Sequence, residues 1–369
     1  MSVDNRELVE KIALSTTKGV HAEIVRRMEE VGIGTRDFFE MPSLELCDRL
    51  GISRSTMFSR QSRDEAYHEA WEEVEFVKRH NIRCLYIGDK DYPDRLRECY
   101  DAPVMLYALG DAYLDAEHMM SVGGTRKATQ YGATFTHSLV KDLGESLCGN
   151  LTVVSGLAYG IDALAHSASL ECGLPTVAVL AHGLNMIYPA AHRDLAQRIV
   201  KSGGALVTEY TSKQKALRPH FLERNRVVAG LCDVTIVAES DIKGGAMSTA
   251  QRALDYNREV MALPGRINDE MSRGCNHLIR KQKASLIGSP ADVMELMSWM
   301  PADVVVSPRQ RVLFPDLTDE EKPVYDLLRS VVDAVVTEAF DELEDAANKV
   351  GSDAKYGVSL EDGLKDLLE

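Results

Sequence analysis

The 369-residue chain has no apolar run approaching the ~18 residues a membrane-spanning helix needs, so a membrane role is not expected. Its start, Met1-Ser2-Val3-Asp4-Asn5, has neither a basic flank nor an apolar signal core, and secretion is not expected either. Seven cysteines (47, 84, 99, 148, 172, 232 and 275) include no Cys-x-x-Cys, and an odd, scattered set reads as reduced thiols of a cytoplasmic protein. His166, His182, His192, His220 and His277 lack the spacing of a zinc site, and there is no His-Glu-x-x-His or Gly-x-Ser-x-Gly. Gly-x-Gly-x-x-Gly and a Walker loop are also missing, which argues against nicotinamide cofactors and ATP hydrolysis. No metal and no cofactor are expected.

Positive charge is scarce overall but unevenly placed. Net charge is −15, yet residues 316–369 alone hold 16 acidic and 5 basic side chains. Segment 211–230 has five basic residues against one acidic, and 266–283 has five against two. The near field decides contact with a polyanion, so local basic patches on an acidic protein are compatible with phosphate binding.

What the chain does have is a series of glycine-rich turns, each after a short apolar run. Gly123-Gly124-Thr125-Arg126 follows Met119-Met120-Ser121-Val122, and Ser155-Gly156-Leu157 follows Thr152-Val153-Val154. Gly244-Gly245 comes after Val234-Thr235-Ile236-Val237, and Pro264-Gly265 after Val260-Met261-Ala262-Leu263. An open parallel sheet presents backbone N–H groups and helix N-termini to an anion in this way. Strands are predicted at 104–108, 118–122, 151–154, 176–180, 205–208, 233–238, 259–263 and 285–287. Helices are predicted at 130–147, 162–172, 192–202, 222–231, 246–257 and 275–283. The alternation predicts an α/β fold, a doubly wound and mostly parallel sheet.

Ahead of it, residues 1–80 read as short helices that resemble a helix-hairpin-helix or SAM-like unit. Ser53 is a candidate cap and Asp64 to His80 a linking helix. Asp91–Leu96 and Asp101-Ala102-Pro103 read as an extended entry into the sheet domain, 81–298. Residues 299–316 read as a linker, and 317–369 as a small, acidic, weakly helical segment.

Several constellations carry chemistry. In Gly124-Thr125-Arg126, glycine admits an anion to the backbone, Thr125 offers a hydroxyl and Arg126 a bidentate fork. A tight turn with a surface arginine is the plain alternative. Ser155 and the Gly156 N–H are placed to meet a second phosphate, with Asp162 as a cap of the helix that follows. His166 reads as packing. Phe221-Leu222-Glu223-Arg224-Asn225-Arg226, preceded by Lys213, Lys215, Arg218 and His220, joins phosphate neutralisation to a stacking surface, which suits unpaired bases. A core Phe under solvated arginines is the competing reading. Adjacent Arg224 and Asn225 cannot share one helical face, so one of them is expected to face the site. Gly244 and Gly245 open another anion-compatible turn, and Asn276 reads as structural. Glu209 and Glu239 follow strands, but neither has a partner at a catalytic spacing.

Together these residues resemble the DNA-processing protein A (DprA, or Smf) family. The match runs through Gly124-Thr125-Arg126-Lys127-Ala128-Thr129, Ser155-Gly156-Leu157-Ala158, Gly183-Leu184, Tyr188-Pro189, Phe221 with Arg224-Asn225-Arg226, Gly244-Gly245-Ala246, Leu263-Pro264-Gly265 and Gly274-Cys275-Asn276. The resemblance implies an extended Rossmann fold, single-stranded DNA binding without catalytic turnover, and a homodimer. It implies loading of a RecA-type recombinase onto single strands during natural transformation or related recombination, with single-strand-binding protein as a further partner. By motif, Arg126, Ser155, Gly156 and, more loosely, Arg218 would hold phosphates. Phe221 would contact a base, with Arg224 and Arg226 supporting the pocket. Two departures stand out. Tyr159 occupies a position where the family more often has arginine, and the acidic 317–369 segment lacks the pattern of a winged helix. The alternative is a nucleoside-monophosphate-processing enzyme of the lysine-decarboxylase-like Rossmann group. Its Pro-Gly-Gly-x-Gly-Thr-x-x-Glu loop is missing here.

Overall fold

The computed structural model describes residues 3–53 and 58–300, all within one compact unit, Met1–Val304. The acidic 317–369 segment lies outside the described residues. Among the described residues no helix is long and apolar enough to cross a membrane.

The front of the unit is helical: α1 (Val3–Thr16), α2 (Ala22–Glu30), α3 (Thr35–Glu40), α4 (Ser43–Arg49) and α5 (Arg60–Arg79). Helices α1 and α2 are separated by a turn at Gly19, whose φ of 89° lies in the left-handed region. The cap of α5 is Ser59, whose hydroxyl accepts the Ser62 N–H; the helix start expected directly after Ser53 falls at 54–57, outside the described residues. Arg63 is buried among these helices and donates to the carbonyls of Phe38 and Met41. Its guanidinium thereby ties α5 to the end of α3.

Behind these helices lies a nine-stranded sheet in the order β1-β2-β6-β5-β4-β3-β7-β8-β9. The strands are β1 (Arg83–Tyr86), β2 (Met105–Gly110), β3 (Met119–Gly124), β4 (Thr152–Ser155), β5 (Thr176–Val179), β6 (Ala205–Thr208), β7 (Val234–Glu239), β8 (Glu259–Ala262) and β9 (Ser285–Leu286). Every residue of β4, β5, β6 and β7 is buried. That is why these strands read as continuous apolar runs: helices cover both faces, as in parallel sheets generally. Among the described residues only β1 with β2 and β2 with β6 pair antiparallel.

The eight predicted strands are all present. β1 is an addition, its four residues too short and mixed to stand out. The expected extended entry at 91–96 instead contains one helical turn, α6 (Asp94–Arg97). The later helices are α7 (Gln130–Ser146), α8 (Ile161–Glu171), α9 (Arg193–Lys201), α10 (Arg218–Gly230), α11 (Gly245–Asp255), α12 (Arg273–Arg280) and α13 (Pro290–Met297). Helix α10 starts four residues before the expected position, because Pro219 sits in its first turn, where a missing N–H costs nothing.

Chain order runs outward from β3 in both directions, through β4, β5 and β6 on one side and β7, β8 and β9 on the other. The switch point at β3 is where an open α/β sheet leaves a crevice beyond its carboxyl ends.

Candidate functional site

A cleft of about 910 Å³ occupies that crevice. The β3 turn contributes Gly124, Thr125 and Arg126, and the β4 turn contributes Ser155 and Gly156. Helix α10 adds Arg218, Phe221, Arg224 and Asn225, and the start of α11 adds Gly244 and Gly245. Gly124 is required by packing: a Cβ there would stand 2.5 Å from Ile161 and 2.7 Å from the Glu239 carbonyl.

Proximity to the cleft does not make these groups available. The buried Ser155 hydroxyl donates to the Val122 carbonyl at 2.7 Å and is spent on the sheet. The Gly156 N–H donates to Asp162 Oδ2 at 3.2 Å, and the Ala158 N–H to the same oxygen at 3.3 Å. The two groups expected to hold a phosphate, the Ser155 hydroxyl and the Gly156 N–H, are thus both engaged within the protein, the second by the Asp162 carboxylate. Asp162 does not cap α8 as expected. It lies within the first turn of that helix and reaches back to the loop. Burial pushes its carboxyl above the usual carboxylate range, against the opposing pull of Arg224 and the two N–H groups.

Arg224 is buried, and its Nη1 donates to the Gly156 carbonyl at 2.6 Å and to the Val179 carbonyl. A Cβ on Gly156 would lie 2.3 Å from that Nη1, so only glycine lets the strut through. Asn225 accepts from Arg224 Nε at 3.3 Å and donates to the Gly245 carbonyl at 3.4 Å, tying α10 to α11. Both adjacent residues are thus buried at the cleft floor, where only one was expected to face the site.

Arg226 does not line the cleft. Two residues along a helix turn ~200° about its axis, which puts Arg226 on the opposite side from Arg224. There it pairs with Glu209 and donates to the Asp101 carbonyl. Glu239 accepts the Thr129 N–H at 2.9 Å together with the Thr129 hydroxyl. Both strand-end carboxylates weighed as bases are committed to the fold. Asn276 also stands outside the cleft, where it exchanges two hydrogen bonds with Gly265 at 2.9 and 3.2 Å and fixes the Pro264-Gly265 turn. His166 is buried and packed, as read, with Nδ1 2.7 Å from the Thr176 hydroxyl.

Four cations of the cleft are uncommitted. Arg126, Lys127, Arg218 and Lys243 line it, are exposed, and have no ion pair among the described residues. Phe221 is half-buried, and its ring lies 5.6 Å from that of Tyr188 at 61°. Tyr188, Lys127 and Lys243 were not among the expected site residues. Their positions, Tyr188 in the loop 182–189, Lys127 next to Arg126 and Lys243 just before Gly244, were the available signals. Lys213 pairs with Glu72 on α5. Tyr159 is exposed and packs edge-on against His192 at 4.8 Å.

Residues 83–298 match the family model described as DNA recombination-mediator protein A. The chain belongs to that family. It is 39% identical over 208 residues to the DNA processing protein DprA of Streptococcus pneumoniae, covering 56% of this chain and 72% of that protein. It is 35% identical over 264 residues to the Escherichia coli protein Smf, covering 70% and 68% of the two chains. The solved structure of the S. pneumoniae DprA superposes with a TM-score of 0.64 at 32% identity, covering 80% of this chain and 98% of that one. A structure of DprA from Helicobacter pylori, described for its single-stranded DNA binding mode, superposes with a TM-score of 0.53 at 30% identity. It covers 59% of this chain and 95% of that one. Family membership makes this chain a DNA recombination mediator with an extended Rossmann-like fold.

Proposed function

We propose that the cleft binds single-stranded DNA and that the protein uses the bound strand to load a RecA-type recombinase, as a cytoplasmic homodimer without catalytic turnover. The observation that carries this reading is the contrast between committed and free charge. Arg224 and Arg226 are spent on carbonyls and a carboxylate, whereas Arg126, Lys127, Arg218 and Lys243 line the same cleft as a Phe221–Tyr188 pair. Phosphates need the free cations, and unpaired bases need an aromatic face; a duplex hides its bases and leaves the aromatic pair unused. Single-strand-binding protein is the expected occupant of the strand that the recombinase must displace.

The loading step is tested by following recombinase ATP hydrolysis on single strands coated with single-strand-binding protein. Added protein shortens the lag in filament formation, and Arg126→Ala loses that effect. An unchanged lag with wild-type protein that binds the strand limits the function to binding.

A further inference from the structure

We propose that Glu73, on the front helix α5, is a positioning residue for the cleft: it holds the β6–α10 loop in the conformation that presents Arg218 to the strand. This rests on the reading of the cleft as a single-strand site. Glu73 lies outside the span 83–298 that matches the family, on an element with no residue in the cleft.

Glu73 is buried, with 4% exposure, yet its carboxylate serves the loop rather than its own helix. The Ser212 N–H donates to Oε1 at 2.9 Å and to Oε2 at 3.0 Å, and the Ser212 hydroxyl donates to Oε2 at 2.6 Å. One turn of loop follows, closed by Gln214 N–H to the Thr211 carbonyl at 3.0 Å, and the Gln214 carbonyl accepts the Gly183 N–H at 3.0 Å. The chain then passes Lys215 and Ala216 to Arg218, the first residue of α10. Residues 213–218 contain three cations that repel one another, and ordering each loop residue costs about 1–2 kcal/mol of backbone entropy. Glu72 absorbs one of those cations, Lys213, and Glu73 anchors the backbone beside it. The front helices thus set where the remaining charge, Lys215 and Arg218, points.

The test uses the full chain, with oligo-dT affinity measured at two salt concentrations and amide exchange read across residues 209–218. Glu73→Ala is expected to weaken binding about fivefold or more, to lower the salt slope by about 0.7 for the lost phosphate contact, and to speed exchange across the loop. Glu73→Gln keeps an acceptor for the Ser212 N–H and a polar partner for its hydroxyl, and restores binding to within about twofold of wild type. If Glu73→Ala does not fold, Ser212→Ala carries the test, with a smaller change of the same sign. Folded Glu73→Ala or Ser212→Ala with unchanged loop exchange and unchanged affinity overturns the proposal. Faster exchange with unchanged affinity overturns the link to the strand. A wild-type protein that fails to bind oligo-dT contradicts the reading of the cleft, while the exchange data still decide whether Glu73 orders the loop.

Discussion

Asp162 places one carboxylate oxygen 3.2 Å from the Gly156 N–H, in the position a phosphate would take at this turn. The β4 turn therefore carries its own anion, and the proposed reading assigns external phosphate to the turns around Arg126 and Lys243. Asp162→Ala orphans two loop N–H groups and strips buried Arg224 of a nearby counter-charge. The expected cost is about 2–4 kcal/mol, read from urea unfolding. An unchanged midpoint would show that the loop does not depend on this carboxylate.

Arg126 and Arg226 should separate binding from stability. Arg126→Ala leaves unfolding within about 0.5 kcal/mol of wild type, as for an exposed side chain, but weakens single-strand binding and lowers the salt slope by about 0.7. Arg226→Ala leaves Glu209 buried without its partner and costs about 3–5 kcal/mol, while the protein that remains folded keeps its salt slope. The reverse pattern in paired unfolding and binding titrations would refute the assignment.

Phe221→Ala removes a stacking face but no charge. Affinity for oligo-dT should fall by about 1–3 kcal/mol with the salt slope intact. A change of slope instead would mean that Phe221 positions the cleft cations rather than contacting a base.

How much of this was legible in the sequence depends on what each residue's neighbours reveal. The sheet was readable because buried parallel strands are apolar on both faces, and Val153, Val154, Val177 and Ile236 advertise that locally. The cleft was readable because glycine turns follow those strands. What single residues do within it was not. Arg224 and Arg126 are the same residue type, yet one is a buried strut and the other a free rim charge, and only the partner carbonyls at Gly156 and Val179 distinguish them. Glu73 meets Ser212, 139 positions along the chain, through a tertiary contact that no local spacing encodes, whereas Asp162 meets its own loop only four and six residues back, and there side-chain orientation rather than distance hid the role.

His166 gives a pH signature. The Thr176 hydroxyl donates to the Val153 carbonyl at 2.8 Å, so it accepts from His166 Nδ1–H, and Nε2 is buried without a partner. Burial, reinforced by Arg224 and His192, lowers its pKa from 6.5 to about 3. The unfolded chain then binds a proton that the folded chain refuses, so stability is complete above the unfolded value and is lost as pH falls toward the folded one. Between pH 7 and 4.5 this group should remove roughly 2–3 kcal/mol. The urea midpoint should fall less between the two pH values in His166→Gln than in wild type. Equal pH dependence in both proteins would mean that His166 does not carry this proton.

The central claim is that free cations and an aromatic pair make this cleft a reader of unpaired strands. It is tested most directly by fluorescence-anisotropy titration of a labelled oligo-dT and a duplex of the same length at two salt concentrations. The account predicts salt-sensitive binding to the single strand and much weaker binding to the duplex. Equal affinity for both, or no binding by folded protein, would contradict it.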